Sequence, residues 1–180
     1  MSELELKFKA KYSNYLSDFK TMSIDKEHPN KTPLCIDTYH KFYNFDEIVK
    51  NECPRKHPAS LDTLILKKNT IYCIEFRNLS KVKTNKHKNK LQNKLQEGKD
   101  ALLGILKNLS IQHKGLEFIF CVVYKTPKQG KYNYADNIAS RVIHFDLSQY
   151  KPSLYNDIYT QPVDFFRKEF IKKINPTLPC

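Results

Sequence analysis

Residues 61–78 read LDTLILKKNTIYCIEFRN. Two apolar runs, Leu61–Leu66 and Ile71–Phe76, flank the polar tetrapeptide Lys67-Lys68-Asn69-Thr70, the pattern of a β-hairpin closed by a four-residue loop. Pairing across that loop sets Leu66 against Ile71, Leu64 against Cys73 and Asp62 against Glu75. Period-two alternation places Asp62, Leu64, Leu66, Ile71, Cys73, Glu75 and Arg77 on one face. Carboxylates directly opposite each other on a sheet repel. On an apolar face they cost more still unless their charge is offset. A divalent cation held between them would offset both costs, because hard cations take carboxylate oxygens. The hairpin therefore predicts a metal-dependent enzyme.

Outward from the hairpin, hydrophobic spacing sets the other elements. Leu91, Leu95, Gly98, Leu102, Ile105 and Leu109 recur at four- and three-residue intervals, predicting a long helix over 88–109 with Lys90, Lys94 and Lys99 pointing away from the stripe. The run LEFIFCVVY that follows is apolar on both faces and reads as a central strand. Before the hairpin, Leu4, Phe8, Tyr12, Tyr15 and Phe19 predict an amphipathic helix over 3–21, and YHKFYNFDEIVKN predicts a second over 39–51. Pro29 and Pro33 mark a loop between them, and Pro54 and Pro58 one after. Residues 125–138 read as a basic loop, Val142 to Leu147 as a strand, the stretch after Pro152 as irregular, and 162–174 as a last helix stopped by Asn175-Pro176. The sum is a mixed α/β core, helices on a small sheet.

The chain has 180 residues, enough for one domain with a substantial core. Lys and Arg number 31 against 19 Asp and Glu, a net charge of +12, which points to a polyanionic partner, nucleic acid before an anionic membrane. From Arg77 through Gln96 there is no acid, while Arg77, Lys81, Lys83, Lys86, Lys88, Lys90 and Lys94 all fall there, a run able to hold a phosphate backbone beside the acid pair. Lys125, Lys128, Lys131 and Arg141, with Tyr124, Tyr132 and Tyr134 interleaved, read either as a surface for unpaired bases or as a solvated loop. The N-terminus lacks an apolar signal segment, and the longest apolar run, Phe118 to Tyr124, is too short to span a bilayer. Five cysteines without a C-x-x-C spacing predict a reduced, cytoplasmic chain, with Cys73 and Cys121 as small core residues. The six histidines show no zinc-ligand spacing; His40 reads as a helix-face residue or a neighbour of the acid pair.

An Asp at the start of one strand, a hairpin, and Glu75-Phe76-Arg77 at the end of the next resembles the PD-(D/E)XK nuclease superfamily. The resemblance extends over about residues 40–124, through the long helix and the apolar strand. It implies a restriction-endonuclease-like α/β fold of αβββαβ order, one domain over 1–180 with its core at about 40–147 and the terminal helices packed on it. It also implies hydrolysis of phosphodiester bonds in nucleic acid, DNA rather than RNA, with Mg²⁺ or Mn²⁺ as cofactor. On that resemblance Asp62, Glu75 and the Phe76 carbonyl hold the metal, Arg77 is the basic member, and Glu47 is the further acid from the preceding helix. Gln92 or Gln96 is then the polar residue of the following helix, and Lys81, Lys83, Lys86, Lys88, Lys90 and Lys94 contact the backbone. A homodimer would serve where both strands are cut. Arg77 stands where the family has Lys. Arg stays protonated and cannot act as a base, though it can clamp a phosphate. Three readings follow: Arg77 works as an electrostatic stabiliser, Lys81 or Lys83 reaches into the site, or the fold binds nucleic acid without cutting it.

Overall fold

Ser2 opens α1 (Glu3–Tyr12) with a capping box. Its hydroxyl accepts the Glu5 N–H, and the Glu5 carboxylate accepts the Ser2 N–H. Leu4, Phe8 and Tyr12 of the expected stripe are buried, but the helix ends there. A 3₁₀ turn (Ser13–Tyr15), an edge strand β1 (Leu16–Asp18) and a short helix α2 (Phe19–Met22) replace the second half of the helix expected over 3–21. Asp18 sets where the chain turns helical again: its carboxylate caps α2 through the Thr21 N–H, a role Asp fills better than a helix interior.

The computed structural model describes residues 1–24, 32–79, 85–125, 142–178 and 180. The stretch read as one helix over 39–51 divides into β2 (Lys41–Asn44) and α3 (Phe45–Glu52). Aromatic Phe42 and Tyr43 favour a strand, and Asn44 caps α3 by accepting the Glu47 N–H. The hairpin strands β3 (Thr63–Lys67) and β4 (Thr70–Arg77) pair in the expected register, Leu64 with Cys73 and Leu66 with Ile71. The ladder reaches one step further at the tip, where Lys67 pairs with Thr70 and only Lys68-Asn69 turns, Lys68 at φ 54°.

α4 (Asn85–Asn108) then crosses over to β5 (Glu117–Tyr124), which lies parallel to β4. The region read as irregular after Pro152 contains β6 (Asp157–Pro162), parallel to β5 on its other side. β5 is thus central, as its two apolar faces require. Val142 to Leu147 is not a strand: His144 donates to the Thr160 hydroxyl and that hydroxyl donates to Val142 O, so a β6 side chain replaces a ladder. A helical segment, α5 (163–174), closes the fold, with a π-turn at Phe166–Phe170.

The six strands form one mixed sheet in the order β1-β2-β3-β4-β5-β6. α1, α3 and α4 cover one face through Phe8, Phe45, Leu95 and Leu102 against Leu64, Ile71, Cys73 and Phe120. α5 covers the other through Phe166, Phe170 and Ile171 against Ile65, Ile74, Phe76 and Val123. The alternation read along the hairpin separates these two cores, and it turns Glu75 toward α4. Cys73 and Cys121 are buried as expected, and burial holds both thiols well above their usual pKa. Cys35 and Cys180 form a disulfide that ties the approach to β2 to the residues after α5, where reduced thiols were expected. No described helix is long and apolar enough to cross a membrane.

Candidate functional site

Asp62 and Glu75 meet one position beyond the last ladder pair, Thr63–Ile74. There the Asp62 carboxylate takes the place of a ladder bond: its Oδ2 accepts the Phe76 N–H at 2.7 Å. A residue's N–H and C=O lie on the same side of an extended strand, so the Phe76 carbonyl also faces Asp62. Glu75 is only 1% exposed.

Lys94 of α4 lies against both acids. Its Nζ is 2.9 and 3.0 Å from the two oxygens of Glu75 and 3.6 Å from Asp62 Oδ1. Arg77 flanks the pair with its Nε 2.8 Å from Glu75 Oε1, a charge contact without hydrogen-bond alignment. Gly98 explains the reach. A Cβ there would stand 3.2 Å from Leu61 Cγ, so α4 lies close on the chain entering Asp62, with Lys94 one turn away. The Ala59 N–H, donating to Glu97 at 2.6 Å, ties down the same approach.

The electrostatics follow from this geometry. Burial, and then the charge of Glu75, push the Asp62 carboxyl up from its usual range; the 22% of its side chain left exposed tempers that shift. Burial works against the Lys94 ammonium, but Glu75 and Asp62 outweigh it and hold the pKa above normal. Asp46, the second residue of α3, joins from the side. Its Oδ1 accepts the Ser60 hydroxyl at 2.7 Å and its Oδ2 lies 2.7 Å from Lys50. Burial opposes its charge, and Lys50 and Ser60 prevail to lower its pKa.

These groups line a cavity of about 350 Å³ walled by Thr21–Ile24, Asp46, Asp62, Phe76–Leu79 and, from α4, His87, Lys90 and Lys94. Asp62, Glu75, Phe76, Arg77, Lys90 and Lys94 are therefore brought together. Glu47 is not among the lining residues; it points outward to Lys50 at 2.8 Å, and Asp46 has the inward position next to it. Gln92 donates to Phe145 O at 3.4 Å, away from the acids, and Gln96 is exposed. Lys88 pairs with Asp146. His40 contacts Asp37 at 3.3 Å and lines a different cleft, of about 640 Å³, between β2 and β3. Tyr124 is buried in β5. Lys81, Lys83, Lys128, Lys131, Arg141, Tyr132, Tyr134 and Pro29, with the side chain of Lys86, lie outside the described residues.

Lys94 and Lys99 both turn inward, contrary to expectation. Lys94 follows Leu91 by three and precedes Gly98 by four; Lys99 follows Leu95 by four and precedes Leu102 by three. Each meets the spacing rule of the apolar stripe it borders, which was the signal available. Asp46 and His87 had no such signal.

The donor set suits a hard cation: two carboxylates, one backbone carbonyl and room for water match the partial ligation typical of Mg²⁺. The Lys94 ammonium already acts as a stand-in positive charge for the acid pair. Among the described residues no group of three or more His, Cys, Asp or Glu side chains is placed to hold a metal, so water would complete any coordination. Comparison with protein-family models, curated proteins and solved structures finds no match to this chain.

Proposed function

We propose that the chain is a metal-dependent nuclease of the restriction-endonuclease-like kind, hydrolysing phosphodiester bonds, in DNA rather than RNA. The observation that carries this reading is the pair Asp62 and Glu75, held against a cation in a cavity whose α4 wall is basic. The strand and helix order also supports it: three antiparallel strands (β2–β4), a crossover helix and a parallel strand. Asp62, Glu75 and the Phe76 carbonyl would hold Mg²⁺ or Mn²⁺. The bound cation supplies Lewis acidity toward the phosphate and a lowered pKa for water. The chain's own groups do the rest. Asp62 keeps its orientation through the Phe76 N–H. Arg77 lies beside Glu75 as a fixed charge that can stabilise a developing phosphorane without exchanging a proton. Lys90 presents positive charge at the cavity wall for the substrate backbone.

The test is cleavage of plasmid and single-stranded DNA with Mg²⁺ or Mn²⁺. Wild type should cut only with metal, and Asp62→Ala and Glu75→Ala should each lose more than about 100-fold, since even residues outside a metal's ligand shell cost 10–100-fold. No cutting by pure wild type sinks the enzymatic reading; equal cutting by the variants points to another site. A second reading, a binding module without catalysis, is favoured by Arg77 at the basic position, because Arg cannot serve as a base. It requires metal-independent DNA affinity that falls steeply with salt, and no cutting.

A further inference from the structure

Resting on that metal-dependent reading, the geometry points to Lys94 as a displaceable counter-ion: its ammonium balances Asp62 and Glu75, a divalent cation must evict it, and the evicted ammonium then serves the phosphate in the same cavity.

Three observations carry this. First, the Lys94 Nζ lies within 3.0 Å of both Glu75 oxygens and 3.6 Å from Asp62 Oδ1. It thus engages the carboxylate oxygens that a metal would need. Two cations cannot share those lone pairs at contact distance, since like charges that close in a partly buried site repel by several times thermal energy. Second, the neighbouring cations Arg77 and Lys50 have contacts of their own. Arg77 contacts Glu75 through Nε, and Lys50 is engaged by Asp46 and Glu47. Third, Lys94 has somewhere to go. It lines the open cavity together with Lys90 and His87, and its long stem lets the ammonium swing without moving α4, which is anchored by Leu91 and Leu95 in the core.

Once displaced, Lys94 is a mobile, positively charged amine next to the acid pair, whereas Arg77 is held against Glu75. The positive charge that reaches the phosphate thus comes from the helix as well as from the strand. Metal entry and the placing of that amine become one event, so the catalytic arrangement assembles only when the cation is present.

The test separates binding from turnover. Wild type, Lys94→Met and Lys94→Arg are titrated with Mn²⁺ alone, free metal being read by electron paramagnetic resonance. Melting temperatures are recorded with and without Mn²⁺. Removing the competing charge should tighten Mn²⁺ binding by Lys94→Met about tenfold or more and enlarge the metal-induced rise in melting temperature, while DNA cleavage falls. Lys94→Arg should bind Mn²⁺ about as wild type does. If the metal-free Met variant fails to fold, Lys94→Gln, with a polar head near the acids, gives the same comparison. Wild-type binding of Mn²⁺ with unchanged or weaker affinity in the neutral variants overturns the eviction idea and leaves the metal site standing. No Mn²⁺ binding by any form overturns both.

Discussion

The two inward-turned lysines of α4, Lys94 partly buried and Lys99 buried, differ in what surrounds the ammonium. Lys94 has two carboxylates within reach. Lys99 is 5% exposed with the rings of Phe118 and Tyr155 beside its charge. Ring faces offset part of the desolvation cost, though less than an acid would. Burial accordingly lowers the Lys99 pKa from 10.5 to about 8. Between those values the unfolded chain binds more protons than the folded one, so stability should rise as pH climbs from about 8 to 10.5. Lys99→Met should remove that rise and stabilise the protein at pH 7 by about 1–3 kcal/mol, read from chemical denaturation at several pH values. An unchanged pH slope in the variant would contradict this account. Both acids of the site were legible in the sequence because period-two alternation and the hairpin register place them together without tertiary information. The two lysines were not, since a long charged side chain at the border of an apolar stripe can face either way, and packing against the sheet decides.

At the scale of elements, legibility followed how much of each element's stability is local. The hairpin, α4 and β5 carry unbroken apolar periodicity and form as read, with α4 beginning three residues earlier at Asn85. The helix expected over 3–21 ends at Tyr12 and resumes only after the Asp18 cap, and the one expected over 39–51 begins only at the Asn44 cap, local signals that compete with the stripe. β6 escaped notice because DIYTQP gains its place from pairing with β5, and its Thr160 does unusual duty. This side chain is 1% exposed and satisfies both the His144 N–H and Val142 O. Thr160→Val keeps the shape and strands both backbone groups. It should cost about 1–3 kcal/mol and strip protection from the His144 amide in hydrogen exchange. Full retention of that protection would mean the segment is held by other contacts.

Across the whole molecule, the sheet does one thing for the site: it separates two apolar cores and leaves the acid pair at the end of the β3–β4 ladder, under α4 and open to a cavity. The chain carries a net charge of +12, and His87, Lys90 and Lys94 line that opening. What the sequence could not supply was the third dimension of the site, namely that α3 would turn Asp46 inward rather than Glu47, and that α4 would place an ammonium against the acids. Both depend on how helices seat on the sheet, set here by the close approach at Gly98 and the capped start at Asn44.

The central claim, that Asp62 and Glu75 are a cation site held by Lys94 until metal arrives, is tested most directly by a crystal structure after Mn²⁺ soaking, with anomalous scattering to locate the metal. The expected map has a peak about 2.1 Å from oxygens of both Asp62 and Glu75, with the Lys94 ammonium withdrawn into the cavity. A fully soaked crystal with no peak there, and Lys94 still against both acids, would contradict it.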